Sequence, residues 1–165
     1  MRKWLTLVMS MLALSAALAS TRDVETGPSF QLIFRDTYSG TNETVINVGD
    51  SVRWVWRSGY HTTTSYNNLW DAEVSSVQRT FTYTFNQPGV YEYYCIPHES
   101  LGMVGTVRVR IPGDVDFSCV VDDSDLLDVL FAFGASGARR EDLNYDRVVD
   151  DADLLIVLFN FGNGC

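Results

Sequence analysis

The run Tyr93-Tyr94-Cys95-Ile96-Pro97-His98-Glu99-Ser100-Leu101-Gly102-Met103 places a thiolate, an imidazole and a thioether within nine residues. Those are three of the four donors of a trigonal copper site with a weak axial sulfur, in which soft sulfur favours Cu(I) and imidazole serves both oxidation states. The chain has two histidines in all. The other one, His61, stands on an expected loop after the strand-like Ser51-Val52-Arg53-Trp54-Val55-Trp56. Each of these residues has an ordinary reading too: Cys95 as a small buried apolar residue, His61 and His98 as loop histidines. The joint pattern of Cys-x₂-His-x₄-Met behind an aromatic strand favours the metal.

The elements that must hold such a set are strands. β-Branched and aromatic runs at Phe30–Arg35, Thr44–Asn47, Ser51–Trp56, Thr80–Phe85, Val90–Cys95 and Thr106–Ile111 are separated by turn residues, with Gln87-Pro88-Gly89 as a hairpin or corner. Spacing of this kind predicts an antiparallel Greek-key β-sandwich. Phe81, Tyr83 and Phe85 alternate with threonines and are expected in its core.

The stretch Val48-Gly49-Asp50-Ser51-Val52-Arg53-Trp54, the segment Gly59-Tyr60-His61-Thr62-Thr63-Thr64-Ser65 and the Cys-x₂-His-x₄-Met loop together resemble the plastocyanin and pseudoazurin branch of the cupredoxins, over roughly Phe30 to Ile111. The resemblance implies one type 1 copper, with His61, Cys95 and His98 as equatorial ligands and Met103 as the axial one. It implies electron transfer and no open metal position for a substrate, hence a carrier rather than an enzyme. It also implies a redox partner docking on an apolar patch of Ile96, Pro97, Leu101, Gly102 and Val104 around His98. The pattern departs at Thr62, where relatives carry an Asn that braces the cysteine loop. A different class of function stays open, a calcium-dependent interaction protein whose copper serves storage or delivery.

The chain's start has a basic end (Arg2, Lys3), an apolar run from Leu5 to Leu14 and a small-residue close at Ala17-Leu18-Ala19. It reads as a signal peptide over 1–19, too short and wrongly flanked for a membrane anchor. The expected mature product is exported, to the periplasm, cell surface or extracellular space. Without that segment the chain carries ten Arg against 21 acidic residues, a formal charge of −11. Such a balance excludes nucleic acid and anionic membrane surfaces as partners.

Charge also divides the chain: residues 20–112 hold a balance of −2, and residues 113–165 hold −9. Pro112-Gly113 marks the boundary between the expected copper domain and an acidic tail. Within the tail, Asp114 to Leu127 matches Asp142 to Leu155 at an offset of 28 residues. Oxygen donors recur at loop positions 1, 3, 5, 9 and 12: Asp114, Asp116, Ser118, Asp122 and Asp125, then Asp142, Asn144, Asp146, Asp150 and Asp153. Position 7, Val120 or Val148, would give its carbonyl, as in calcium loops. Each loop runs into an apolar helix, Leu126–Phe133 and Leu154–Phe161, closed by Gly134 and Gly162.

A duplicated loop-helix unit with Asp at position 12 and no entering helix resembles a type I dockerin over the whole tail. The resemblance implies two calcium ions and a cohesin-like partner. With Ser118 as a neutral donor, the first loop is expected to bind less tightly than the second. The pattern departs at position 6, where Cys119 and Arg147 replace the usual glycine. With Cys95 assigned to copper, Cys119 and Cys165 are free to pair and clasp the tail, a bridge worth roughly 4 kcal/mol in the chain-entropy view.

Overall fold

The computed structural model describes residues 19–165, so the expected signal segment lies outside the described residues apart from Ala19. Nine strands follow in chain order: β1 (Thr21–Thr26), β2 (Phe34–Asp36), β3 (Glu43–Asn47), β4 (Ser51–Trp56), β5 (His61–Ser65), β6 (Asp71–Val74), β7 (Thr80–Thr84), β8 (Gly89–Tyr94) and β9 (Val104–Arg110). They form two sheets, of order β2-β1-β4-β7 and β3-β9-β8-β5-β6. The sandwich is not purely antiparallel, because β1 runs parallel to β4 and β3 parallel to β9.

Three local expectations change. Phe30–Arg35 is not one strand: Pro28–Phe30 forms a 3₁₀ turn with Ser29 and Phe30 at positive φ, and the strand begins only at Phe34. β1 and β6 are rich in charged residues and lack the apolar alternation that announces a strand; their ladders with β4 and β5 define them. His61 lies in a strand rather than a loop. It opens β5, whose five residues are all buried because β8 pairs on one side and β6 on the other.

The core between the sheets is aromatic. Trp54 lies 5.2 Å from Tyr93, 5.4 Å from Trp70 and 5.8 Å from Phe81, centroid to centroid. Phe85 is fully buried, while Phe81 and Tyr83 pack against the cluster from its edge. Cys95 and Met103 belong to this same cluster and are wholly buried. The Cys95–Met103 loop is therefore anchored at both ends in the aromatic core.

The tail holds α1 (Asp123–Ala132) and α2 (Asp151–Asn160). Both start three residues before the apolar run, because Asp122 and Asp150 cap them. Each cap is reciprocal: Asp122 accepts from the Ser124 N–H while Asp125 accepts from the Asp122 N–H, and Asp150 and Asp153 repeat the arrangement. Gly134 and Gly162 follow the helices at φ 81° and 84°. Val115, Val121, Val129, Leu143, Val149 and Val157 make a second, small core. Cys119 and Cys165 are joined by a disulfide, with Cα atoms 5.2 Å apart.

The tail packs against the sandwich through arginine and tyrosine. The Arg22 guanidinium lies between two rings, 4.1 Å from Tyr38 and 4.0 Å from Tyr145. Tyr38 donates its hydroxyl to Asp142, and Arg147 donates to the Thr37 and Tyr38 carbonyls. Burial and then the Asp142 carboxylate push the Tyr38 hydroxyl up to about 12, so it stays a donor at neutral pH. Arg110, fully buried at the end of β9, donates to the Arg140 carbonyl at 2.7 Å.

Gly105 on β9 is a steric necessity, since a Cβ there would lie 2.4 Å from the Tyr93 ring. Tyr93 has nowhere to go, being packed on Phe34 and Trp54. Gly105→Ala is expected to lower stability by about 1–3 kcal/mol, the usual cost of overpacking, measured by urea unfolding of the metal-free protein.

Candidate metal centre

β8 delivers Cys95 to the end of the sandwich, and chain reversal there creates the site. Ile96–Leu101 turn as a 3₁₀ segment in which the Cys95 carbonyl accepts from the His98 N–H at 2.9 Å. Gly102, at φ 83°, turns the chain back into β9. The Cys95 N–H then donates to the Met103 carbonyl at 3.0 Å, and the Met103 N–H to the His98 carbonyl at 3.2 Å. Three of the four expected donors are thereby clamped by each other's backbone, and the Met103 side chain is fully buried.

The fourth comes from the neighbouring strand. His61 Nδ1 lies 3.6 Å from Cys95 Sγ and His98 Nδ1 lies 3.3 Å from it. The two imidazole rings stand 5.0 Å apart, centroid to centroid, tilted by 58°. His61, Cys95 and His98 thus converge their donor atoms within 4.8 Å of one another. Two imidazole nitrogens and one sulfur at this spacing suit a single small, borderline-soft cation, which fits copper.

Tautomer and protonation favour the same use. The His61 ring bonds the Ser58 carbonyl. Its Nε2 faces Gly27 and Gly59, where a Cβ would come within 2.6 and 2.9 Å. Nδ1 is left with a free lone pair towards Cys95, as an outer-shell carbonyl commonly arranges for a ligating histidine. Burial, reinforced by His98, lowers the tendency of His61 to protonate. Burial also pushes the Cys95 thiol up, so ionising it calls for an adjacent cation. The sulfur accepts from the Thr62 N–H at 3.4 Å.

Thr62 holds the place where the resembling proteins carry an Asn, and the structure gives it a bracing contact. Its Oγ1 accepts from the Ile96 N–H at 2.8 Å, tying β5 to the copper loop. The Thr64 hydroxyl donates to Asp71 Oδ1 at 2.8 Å, which leaves its oxygen to accept from the Thr62 hydroxyl at 3.1 Å. Nothing in the sequence pattern announced Asp71, because only the β5–β6 pairing sets it opposite Thr64.

Residues 37–110 match the family model described as copper binding proteins, plastocyanin/azurin family. Over those residues the sandwich matches a plastocyanin/azurin-family cupredoxin domain. A chloroplastic plastocyanin of Physcomitrium patens is 53% identical over 30 residues, which is 18% of this chain and 18% of that protein's own length. Among solved structures, oxidised plastocyanin from Dryopteris crassirhizoma aligns at 21% identity and a TM-score of 0.45, covering 53% of this chain and 99% of that one. A purple cupredoxin from Nitrosopumilus maritimus aligns at 26% identity and 0.43, covering 53% and 97%. Every one of these matches leaves a large part of the chain uncovered.

In the tail, the first loop brings carboxylate oxygens of Asp114, Asp116 and Asp125 within 4.8 Å of one another. No such group forms at the second loop among the described residues, where Asn144 takes the place of an acid. The carboxylates also serve the fold directly. Asp114 accepts from the Ser118 and Cys119 N–H groups, and Asp142 from those of Asp146 and Arg147. Asp125 and Asp153 accept from Val115 and Leu143 respectively, both at 2.6 Å. Cys119 and Arg147 at position 6 take φ values of 69° and 75°, the left-handed turn that glycine usually supplies.

Cys95→Ala is expected to keep the fold, at a cost of about 1 kcal/mol, because the residue is a small buried group in an apolar cluster. Copper titration followed by visible absorption should show an intense band for the parent protein and none for the variant.

Proposed function

We propose that this protein is an exported type 1 copper protein acting as a one-electron carrier. The observation that carries the reading is the buried Cys95 sulfur faced by two imidazole Nδ1 atoms, with Met103 closing the loop beneath. Copper supplies the Cu(II)/Cu(I) couple when bound. The protein's part is to hold four donors in place: backbone bonds fix Cys95, His98 and Met103, and the buried strand β5 fixes His61. Donors that barely move impose little rearrangement on either oxidation state. All four positions are taken by side chains, which leaves no place for a substrate and favours a carrier over an enzyme.

His98 is the half-buried member of the set, and Ile96, Leu101 and Val104 stand exposed beside it. This apolar rim suits brief docking of a redox partner protein, with His98 as the way in and out for electrons. Inward, Tyr94 and Tyr93 continue from Cys95 along β8. The signal-like start supports export to the periplasm, cell surface or extracellular space, and no described helix is long and apolar enough to cross a membrane.

For the tail, residues 113–165, the reading is a dockerin-like attachment module with two calcium loops. Its support is the 28-residue repeat, the clustered first-loop carboxylates and the matching left-handed turns at Cys119 and Arg147. Each Ca²⁺ would neutralise two of the tail's nine excess negative charges. The helices keep Leu127, Phe131, Leu155 and Phe159 exposed, a surface suited to a cohesin-like partner.

Copper-loaded protein is expected to show an intense band that bleaches on reduction and a reversible one-electron couple. A colourless copper complex without such a couple overturns the carrier reading in favour of storage or delivery. Calcium is expected to raise the tail's melting temperature and EGTA to reverse it, followed by calorimetry; Asp114→Asn and Asp142→Asn should each remove one binding event. An identical melting curve with calcium and with EGTA overturns the calcium reading.

A further inference from the structure

Asp50 is a buried carboxylate without a cation. It is 5% exposed, and among the described residues no arginine or histidine nitrogen lies within ion-pair distance of it. Its two oxygens face backbone N–H groups instead. Oδ2 accepts from Asn47 at 2.9 Å, which closes the turn between β3 and β4, and Oδ1 accepts from Ser20 at 2.7 Å. Carboxylates this far from water are as a rule paired with a cation, because neutral donors offset only part of the desolvation cost.

Ser20 is the residue that follows the expected signal segment, and its nitrogen belongs to the Ala19–Ser20 bond. Hydrolysis of that bond by a signal peptidase adds one water, leaving a carboxylate on Ala19 and, at neutral pH, an ammonium on Ser20. The nitrogen that touches Asp50 then changes from a neutral donor with one proton into a cation with three. Its position is already set: the Ser20 carbonyl accepts from the Ser51 N–H at 2.9 Å, next to the ladder that pairs Thr21 with Ser51. Ala19 also lines an adjoining cleft of about 360 Å³, with Asn47, Asp50, Tyr145 and Asn160 among its other walls. Removing Ala19 leaves room there for water to accept from the remaining ammonium protons.

We propose that Asp50 is the receptor for a new N-terminus: processing after Ala19 places the Ser20 ammonium on its carboxylate and completes a buried ion pair that the peptide amide of the precursor cannot form. The pair joins the first residue of the mature chain to the turn before β4, and so pins β1 against the strand that carries the buried Trp54. The processed chain is thereby more stable than its precursor. This inference rests on the reading of residues 1–19 as a signal segment.

Lys3 is the sole lysine of the sequence and leaves with that segment, so the Ser20 α-amino group is the one primary amine of the mature chain. Amine-reactive labelling followed by intact mass therefore reads this group alone. The exported protein is expected to have the mass of a chain starting at Ser20 and, while folded, to label about tenfold more slowly than its Asp50→Asn variant. Melting temperature supplies a second comparison. A form carrying Met-Ala before Ser20 keeps the amide hydrogen bond without the charge, and should melt several degrees lower than the mature chain, a difference that disappears in the Asp50→Asn background. Equal labelling of parent and Asp50→Asn, or an equal loss on extension in both backgrounds, overturns the ion pair and leaves the signal reading standing. An exported chain that begins elsewhere overturns both. Should Asp50→Asn not fold, nitrogen-15 NMR of the parent decides the matter: Ser20 ammonium protons in slow exchange support the pair, and a freely exchanging amine overturns it.

Discussion

The register of β5 against β8 is the constraint on which the copper site depends. Thr64 pairs with Tyr94 and Ser65 with Tyr93. Continued past the ladder, that pairing brings Thr62 against Cys95 and Ile96, and His61 to the mouth of the site. Successive side chains on a strand point to opposite faces, so a slip of one residue would turn His61 away from the sulfur. The slip is opposed from both sides. β6 pairs with β5 from His61 to Thr64, and the Trp70 N–H donates to Ser65 Oγ at the turn between them.

Rigidity at the centre follows from where the ligands sit in the packing. Cys95 and Met103 belong to the same buried cluster as Trp54 and Tyr93. Interiors of this density transmit strain rather than absorb it. A bulky change at Gly105 or a lost bond at Thr62 therefore acts on the donor geometry as well as on stability. The same burial explains the chemistry of the ligands, since a desolvated imidazole stays neutral and a desolvated thiol stays protonated until a cation arrives. The protein keeps its donors in place and lets the metal drive the ionisation.

The tail is joined to this rigid body by contacts of a different character. Arg22 between Tyr38 and Tyr145, Arg147 on the Thr37 and Tyr38 carbonyls, and Tyr38 on Asp142 are polar or cation–π contacts rather than a shared apolar core. The second loop's first carboxylate thus already has a hydroxyl donor from the sandwich, which links the state of that loop to the junction. The first loop has no such tie to Tyr38, and its position 3 is the acid Asp116 where the second loop has Asn144. Two copies of one motif consequently stand in unlike surroundings.

Much of the site was legible in the residues themselves. Cys95, His98 and Met103 fall within one short loop, so their spacing alone limits them to a common centre, and the 28-residue repeat with its caps is a local property of the tail. The aromatic alternation of Phe81, Tyr83 and Phe85 likewise follows from strand geometry. Other features depend on partners far away in sequence. β1 and β6 are strands because β4 and β5 hydrogen-bond to them, and no composition rule sees such a partner. His61 reads as a loop residue from its neighbours and is a buried strand residue from its ladder. Thr62, Thr64 and Asp71 are ordinary polar residues in the sequence, and tertiary structure alone stacks them behind the sulfur. The sequence by itself determined which donors are present, because ligand chemistry belongs to residue type. Only the tertiary structure decided how they are held, because hydrogen bonds across strands depend on register, and register is fixed by the packing of the whole sandwich.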